Sequence, residues 1–207
     1  MIDRVLDPAT KSALNQLATW VSKRGFYLAG GTGCALHLGH RMSQDLDFFS
    51  PVDFSPSGLW TELRKIGDCA PDYTDAGTWV GEFLGTKTGF CHYPYPLLEE
   101  TVPFSGLAVA SLEDIGCMKI EAIAGRGRKR DFIDLYFLLR EMGYDLAALL
   151  SLYRNKYASR PGNGVHILKS LSYFVDADAD PAPVMLIEYS WLEIKEKLTE
   201  LVSGYAI

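Results

Sequence analysis

The sequence contains few cysteines, and they are not arranged in close pairs. Among 207 residues there are four, Cys34, Cys69, Cys91 and Cys117, with no CxxC spacing. Zinc sites and disulfide frameworks in small domains are recognised by characteristic cysteine spacings. The pattern indicates neither kind of site, and we expect reduced, buried thiols in a reducing compartment.

Long apolar segments are also lacking. No stretch approaches the roughly 18 consecutive apolar residues of a transmembrane helix. The first residues, MIDRVLDPATKSAL, are charged and do not contain the apolar centre of a secretory signal. Both absences favour a cytoplasmic protein with no membrane partner.

The chain has no excess of positive charge. It carries 20 Lys and Arg against 26 Asp and Glu, which gives a formal net charge of −6. Its overall field therefore does not attract nucleic acid, although a local basic patch can still bind phosphates.

The sequence does contain enough apolar residues for a packed core. Hydrophobic residues make up 48% of the chain, which is typical of a globular protein. There is no internal repeat and no low-complexity linker. The element pattern predicts an α/β core over residues 1–110, followed by a helical part over residues 111–207.

Hydrophobic spacing and turn residues predict the individual elements. We predict helices over 8–24, 34–38, 57–66, 112–124, 129–142, 145–157, 163–172 and 186–203. We predict strands over 26–29, 46–49, 69–75, 78–84, 87–92 and 104–109, and an acidic loop over 176–183.

Two carboxylates in the strand over 46–49 and just before it are the most informative feature. Side chains alternate along a strand, so Asp45 and Asp47 point one way while Leu46 and Phe48 point the other. Two acids about 6–7 Å apart along a strand repel each other unless a cation lies between them. Such an oxygen pair is suited to Mg²⁺ or Mn²⁺, and the alternative is a solvated strand end.

A glycine turn precedes this acid pair. Gly30, Gly31 and Thr32 follow one predicted strand and lead into a helix. Glycine lets the backbone approach a ligand closely, and a helix N-terminus presents free N–H groups to an anion. The pattern favours a triphosphate on the turn and a cation held by the acids. The alternative is a tight turn with no ligand.

These residues resemble a known family. The segment 28–32, LAGGT, followed by GHRMSQDLDFF over 39–49, is similar to motif I of the AbiEii/AbiGii toxins, which are nucleotidyltransferases of the polymerase-β-like superfamily. A second block, KIEAIAGR over 119–126 and RDFIDLY over 130–136, is similar to the downstream motif of that family. The resemblance implies an α/β (α+β) fold with a polymerase-β-like core, a short mixed sheet flanked by helices, and a C-terminal helical part.

The resemblance also implies roles for individual residues. The expected metal ligands are Asp45 and Asp47. The expected catalytic residues are Asp45, Asp47, Lys119, Asp131 and Asp134. The expected nucleotide-binding residues are Gly30, Gly31, Thr32, Arg41, Ser43, Lys119, Arg126 and Arg130.

Structural alternatives remain open for several of these residues. Arg41 and Ser43 are suited to a phosphate, but they are equally suited to orienting Asp45. Arg130 and Asp134 are spaced i, i+4 and are able to form an ion pair within their helix. The basic segment 126–130 is otherwise typical of a solvated loop.

One carboxylate of the superfamily pattern is lacking. The strand expected to supply a third acid contains Lys87, Thr88, Gly89, Phe90, Cys91 and His92, and no Asp or Glu. An acceptor hydroxyl would then lose its proton to Asp131, to Asp134 or to pyrophosphate.

We therefore expect a Mg²⁺- or Mn²⁺-dependent nucleotidyltransferase that moves a nucleoside monophosphate from an NTP to an acceptor hydroxyl. The resemblance implies a toxin of a toxin–antitoxin or abortive-infection system, acting on RNA or tRNA and paired with a separately encoded antitoxin. Two alternatives remain at this point: a nucleotidyltransferase for small molecules such as antibiotics, and a non-catalytic nucleotide-binding module.

Overall fold

The computed structural model describes residues 1–160 and 162–205. Its strands are β1 (Tyr27–Leu28), β2 (Leu46–Ser50), β3 (Cys69–Asp75), β4 (Thr78–Phe83), β5 (Thr86–His92), β6 (Val102–Phe104) and β7 (Leu107–Val109). Its α-helices are α1 (Pro8–Lys23), α2 (Gly30–Leu38), α3 (Pro56–Leu63), α4 (Leu112–Gly125), α5 (Lys129–Met142), α6 (Leu146–Lys156), α7 (Gly164–Leu171), α8 (Val175–Ala179) and α9 (Trp191–Ser203).

All of these strands form one mixed sheet, in the order β3-β4-β5-β2-β1-β7-β6. Strand β2 pairs with β5 in parallel and with β1 in antiparallel orientation. In this register Asp47 lies opposite Gly89, and Phe48 lies opposite Leu28. Strand β2, which contains Asp47 and is directly preceded by Asp45, is therefore an interior strand and not an edge strand.

The two faces of the sheet pack into two hydrophobic clusters. Leu28, Leu46 and Phe48 belong to a cluster with α1 and α3. Tyr27 belongs to the other cluster, which contains the apolar side chains of α4 to α9, and Phe49 packs against it. Asp47 alternates with Leu46 and Phe48, so its side chain is directed toward the face of the sheet that packs against α4 to α9.

The mixed α/β architecture is confirmed, but the predicted start of α2 is wrong. We predicted that the helix after the glycine turn begins at Cys34, whereas α2 begins at Gly30. The glycines are thus the first turn of the helix itself. Gly39 ends the helix as predicted, in the left-handed conformation.

The predicted strand over 104–109 is also wrong, because this segment contains a hairpin. Strands β6 and β7 are antiparallel, and Ser105 and Gly106 between them both have positive φ angles. The predicted acidic loop over 176–183 contains most of the short helix α8. The last helix begins at Trp191 rather than at residue 186, because the Ser190 side chain accepts a hydrogen bond from the Glu193 N–H and caps it.

The helical part begins where the sequence predicts it. The Ser111 hydroxyl accepts a hydrogen bond from the Asp114 N–H, as in a capping box. The Asp114 carboxylate does not close that motif. It is buried and accepts hydrogen bonds from Leu98 N–H and from Lys156, which anchors the segment after β5. The division at residue 110 into two parts stays a prediction.

No helix in the described ranges, 1–160 and 162–205, is both long and apolar enough to cross a membrane.

Candidate active site

Most of the predicted site residues meet at one cavity of about 400 Å³ beside the start of α2. Nine of the twelve line it: Gly30, Gly31, Arg41, Ser43, Asp45, Asp47, Lys119, Arg126 and Arg130. The other three, Thr32, Asp131 and Asp134, are buried. Residues from the two predicted parts of the chain, far apart in sequence, therefore form a single site.

Asp47 is a carboxylate without a partner. No side-chain hydrogen bond or ion pair between described residues reaches it, and it is half-buried. Burial raises its pKa above the ordinary value, and the nearby Asp45 raises it further. A divalent cation would satisfy both oxygen groups and remove this repulsion. The donor set therefore fits a hard divalent cation such as Mg²⁺ or Mn²⁺, and the role of Asp45 and Asp47 as metal ligands stays a prediction.

Asp45 has a cationic partner. Its Oδ2 atom accepts a hydrogen bond from Arg130 Nη1 at 3.2 Å. Asp45 lies directly before β2, and both side chains are partly exposed. The expected alternative, an ion pair between Arg130 and Asp134 within α5, is not formed. Arg130 instead joins α5 to the acid pair.

The first turn of α2 brings its backbone against these acids. Gly30 has a φ angle of 62°, and a Cβ atom there would lie 2.9 Å from Asp47 Oδ2. A Cβ atom on Gly31 would lie 2.7 Å from Arg41 Nη2. A side chain at either position would displace the Asp47 carboxylate or the Arg41 guanidinium, and the positive φ angle of Gly30 also favours glycine. The N–H groups of the first helical turn have no acceptor within the helix and are available to an anion.

Two hydroxyl groups hold the segment before β2. Thr32 Oγ1 lies 2.8 Å from Ser43 Oγ and also donates to the backbone carbonyl of Asp45. Because Thr32 is buried and directed toward Asp45, these contacts favour a positioning role. Ser43 lines the cavity as well, so its predicted nucleotide contact stays a prediction.

A buried ionic cluster lies behind the cavity and is centred on Asp134. The Arg41 guanidinium donates to both of its oxygens, at 2.6 and 2.8 Å. Lys119 Nζ lies 2.6 Å from Asp134, and His40 Nε2 lies 2.8 Å from it. Burial opposes ionisation of Asp134, but Arg41 and Lys119 outweigh it and hold its pKa well below its usual range.

Asp131 is held in a similar way. It accepts hydrogen bonds from Lys119 at 2.9 Å and from Arg126 Nε at 3.1 Å. Burial raises the pKa of Asp131, but Lys119 and Arg126 lower it by a larger amount, so the net shift is downward. Carboxylates with lowered pKa values are weak bases. The contacts of Asp131 and Asp134 favour the positioning of cations, and their expected catalytic roles stay predictions.

Three cations differ in how far they reach into the cavity. Lys119 lines its floor, but the side chain is only 4% exposed and is bound by both aspartates. Arg126 and Arg130 are 54% and 42% exposed. Arg126 and Arg130 are therefore available to phosphate oxygens, and Lys119 adds positive charge behind them.

The neighbouring strand supplies no third acid. In β5, Gly89 lies opposite Asp47, and a Cβ atom there would lie 3.1 Å from Asp47 Oδ1. Glu82 lies on β4, opposite Lys87 and exposed to solvent. The structure thus agrees with the sequence on the absence of an acid from β5.

A second set of potential metal ligands is not suited to an ion. Cys34, His40 and Asp134 have ligand atoms within 4.8 Å of one another. The cations Arg41 and Lys119 already bind both oxygens of Asp134. A metal ion there would have to compete with both of these buried cations.

The cavity is also lined by residues that the sequence did not single out. Phe49, Tyr93, Met118, Glu121 and Ala122 line it beside the predicted residues. Phe49 and Glu121 lie within the two motif blocks, so their closeness in sequence to the predicted site residues could have indicated that they line the site. Tyr93 lies in the loop after β5, and no sequence pattern placed it here.

A wider groove of about 630 Å³ adjoins the acid pair. Its walls include Asp45 and the cations Lys87, Arg126, Arg128 and Arg130, together with residues 180–184. Arg128 is 58% exposed, whereas Lys129 Nζ is bound to the carbonyl of Asp180 at 2.6 Å. Within the basic segment 126–130, Arg128 therefore lines the groove, and Lys129 holds the loop after α8 through a hydrogen bond.

Comparison with known proteins identifies relatives along almost the whole chain. The family model described as "Nucleotidyl transferase AbiEii toxin, Type IV TA system" matches residues 80–203. The protein aq_aa25 of Aquifex aeolicus (strain VF5) is 36% identical over 206 residues, which is 98% of this chain and 98% of that protein. The crystal structure of JHP933 from Helicobacter pylori covers 98% of this chain and 92% of its own, with a TM-score of 0.58 and 17% identity. The JHP933 structure has the same fold.

Proposed function

The chain belongs to the AbiEii family of nucleotidyl transferase toxins, and on this basis we propose that it moves a nucleoside monophosphate from an NTP to a hydroxyl group of RNA. The expected polymerase-β-like α/β fold is confirmed. The observation that carries the proposal is the unpartnered Asp47 beside Asp45, at the N-terminus of a helix that begins with two glycines.

Asp45 and Asp47 would hold Mg²⁺ or Mn²⁺. A divalent ion bound there neutralises phosphate charge and polarises the phosphoryl oxygens. The helix N-terminus at Gly30 and Gly31 binds the triphosphate through its N–H groups, and Arg126 and Arg130, which line the same cavity, contact the same anion.

The transfer step is an in-line displacement. The acceptor oxygen forms a bond to the α-phosphorus, and the bond from that phosphorus to the oxygen bridging it to the β-phosphorus breaks. Pyrophosphate leaves with the electron pair of the broken bond. It also takes the hydroxyl proton, because Asp131 and Asp134 are ionised, buried and bound to cations.

The groove beside Asp45 supports RNA as the acceptor. A strand lying along Lys87 and Arg128 would place its terminal hydroxyl near the acid pair, since Asp45 lines both the groove and the cavity. Basic side chains along a groove bind the nucleic-acid backbone without reading its sequence. The description of the family as a type IV toxin–antitoxin system supports a separately encoded antitoxin as a partner.

Transfer of radioactive label tests the proposal. The protein is incubated with Mg²⁺, total tRNA and each NTP labelled at the α-phosphorus, and in parallel with each NTP labelled at the γ-phosphorus. We expect α-label on RNA, no γ-label, and loss of transfer in Asp45→Asn. Asp72→Asn is the matched control, because Asp72 is an exposed acid of β3, and it should retain full activity.

Other outcomes point to the alternative functions. Label on an aminoglycoside added in place of tRNA, with none on RNA, would indicate a small-molecule acceptor. NTP binding without labelling of any acceptor would indicate a non-catalytic module. Either result contradicts the RNA proposal.

A further inference from the structure

The cavity has two chemically different ends. One contains the acid pair, the helix N-terminus and the cations. The other is aromatic and apolar, with Phe49, Tyr93, Met118 and Ala122 in its walls. The rings of Phe49 and Tyr93 lie 5.3 Å apart at an angle of 70°. An aromatic wall of this kind is a surface on which a nucleobase stacks.

Glu121 is the carboxylate at this aromatic end. It is half-buried and lines the cavity. One of its oxygens accepts a hydrogen bond from the Tyr153 hydroxyl. No Lys, Arg or His of the described residues lies within ion-pair distance of it, and Arg160 is only near enough for the Glu121 charge to raise its pKa. The other Glu121 oxygen accepts no hydrogen bond from a described residue and is available to a donor of a ligand.

The surrounding tyrosines hold this carboxylate in place. Tyr153 packs against Tyr157 with ring centroids 4.7 Å apart, and the Tyr157 hydroxyl is hydrogen-bonded to that of Tyr93. Glu121 is close enough to Tyr93 and Tyr157 for its charge to raise the pKa of both. Tyr93 and Glu121 thus belong to one rigid group of side chains.

The arrangement of the two ends fixes how a nucleotide lies. With the triphosphate at Gly30, Gly31 and the acid pair, the nucleoside extends toward Phe49 and Tyr93. A cavity of about 400 Å³ is within the range of small-molecule sites. The base then lies against the aromatic wall, and its polar edge meets Glu121.

We propose that Glu121 accepts a hydrogen bond from the exocyclic amino group of a nucleobase stacked on Phe49 and Tyr93, so that the site prefers ATP, CTP and GTP over UTP. This inference rests on the proposed function, because it takes the NTP to be bound in this cavity.

The preference follows from donor and acceptor patterns. An ionised carboxylate has acceptors and no donor. Adenine, cytosine and guanine each carry an amino group, whereas uracil presents carbonyl oxygens at the corresponding edge. Uracil also has one N–H group, but this group is set back between two carbonyl oxygens that project beyond it and approach the carboxylate. An exocyclic amino group itself projects beyond the ring and reaches the carboxylate without such oxygens on both sides. UTP therefore pairs with Glu121 less favourably than the other three nucleotides.

Equilibrium binding of the four NTPs in the presence of Mg²⁺ tests the inference. We expect UTP to bind at least about tenfold more weakly than the best of the other three, a difference of about 1.4 kcal/mol. In Glu121→Gln the amide donates to a uracil oxygen, so the difference should fall below about threefold. Glu113→Gln, in the first turn of the same helix, is the matched control and should keep the wild-type preference.

A second variant keeps the test decisive if Glu121→Gln does not fold. Tyr153→Phe removes the hydroxyl that orients Glu121 and preserves the ring that packs on Tyr157. It should reduce the discrimination against UTP and leave the binding of the other nucleotides within about threefold.

The results separate the two proposals. Equal binding of all four NTPs, or unchanged discrimination in Glu121→Gln, overturns the role of Glu121 and leaves nucleotidyl transfer intact. Tighter binding of UTP than of the others has the same meaning. If no NTP binds, both proposals fail.

Discussion

Arg130 Nη1 lies 3.2 Å from Asp45 Oδ2, which places a positive charge on one of the two acids that are suited to a divalent cation. The contact joins the start of β2 to α5, between residues 85 positions apart. Because both side chains are partly exposed, the ion pair is weak enough to be exchanged for a metal ion.

Removing this guanidinium should strengthen the binding of metal alone. Exposed ion pairs contribute about 0.2–1 kcal/mol, so Arg130→Ala should bind Mn²⁺ up to about fivefold more tightly in the absence of nucleotide. With an NTP present the same variant should bind the nucleotide more weakly, because a phosphate contact is lost. Electron paramagnetic resonance of free Mn²⁺ measures the first effect. Weaker metal binding in the variant would show that Arg130 supports the ion rather than competing with it.

The raised pKa of Asp47 predicts that the free energy of unfolding of the metal-free protein depends on pH in an unusual way. Burial and the nearby Asp45 raise its pKa in the folded state above the ordinary 3.8. The folded state therefore holds this proton more tightly, and stability falls as pH rises from about 3.8 through the raised pKa. In EDTA at pH 7, Asp47→Asn should have a larger free energy of unfolding than the wild type.

Urea unfolding across this pH range measures the difference, and added Mg²⁺ provides the control. The ion should stabilise the wild type and should have little effect on Asp47→Asn. A variant that is less stable than the wild type in EDTA at neutral pH would contradict the strain assigned to Asp47.

The ionic cluster behind the cavity should be essential for folding. Asp134→Ala leaves Arg41 and Lys119 buried with one fewer acidic partner, and breaking a buried ion pair in this way typically costs about 3–5 kcal/mol. Chemical denaturation measures the loss. Asp178→Ala, at an exposed acid bound to Lys195, is the comparison and should have a much smaller effect. Equal losses in the two variants would show that the cluster does not stabilise the site.

The basic groove gives a prediction that concerns RNA alone. The double variant Lys87→Glu with Arg128→Glu should reduce RNA labelling at physiological salt by about tenfold or more and leave NTP binding unchanged. For a single strand, the slope of the logarithm of the binding constant against the logarithm of salt concentration should become shallower by about 0.7 for each phosphate contact removed. The double variant Lys23→Glu with Lys65→Glu, at two exposed lysines with no ion pair among the described residues, is the charge-matched control.

A uniform effect would be informative as well. If the groove variant and the Lys23→Glu, Lys65→Glu control reduce RNA labelling equally, overall charge and not the groove governs binding of the acceptor. If only NTP binding changes, the groove binds the NTP, and the assignment of RNA to the groove is wrong.

The sequence predicted the fold class and the acid pair because both depend on local pattern. Alternation along β2 put Asp45 and Asp47 on one side, and the glycine spacing indicated the adjacent turn. The start of α2 was misplaced, because glycine is a poor helix former and its use here depends on the approach of Asp47 and Arg41.

The partners of the downstream motif could not be read from spacing. Arg130 and Asp134 are four residues apart, yet they bind Asp45 and Arg41, which come from the first half of the chain. Local helix geometry favours the i, i+4 pair by only a few tenths of a kcal/mol. Tertiary contacts between buried charges are stronger, and they decide the arrangement.

The account depends most on a divalent ion held by Asp45 and Asp47 together with a nucleotide. The direct measurement is Mn²⁺ affinity, by electron paramagnetic resonance, with and without an NTP analogue that cannot transfer its nucleotide. We predict that the analogue tightens Mn²⁺ binding in the wild type and that Asp47→Asn abolishes this effect. Mn²⁺ binding that is unchanged in Asp47→Asn, with the analogue present, would contradict the account.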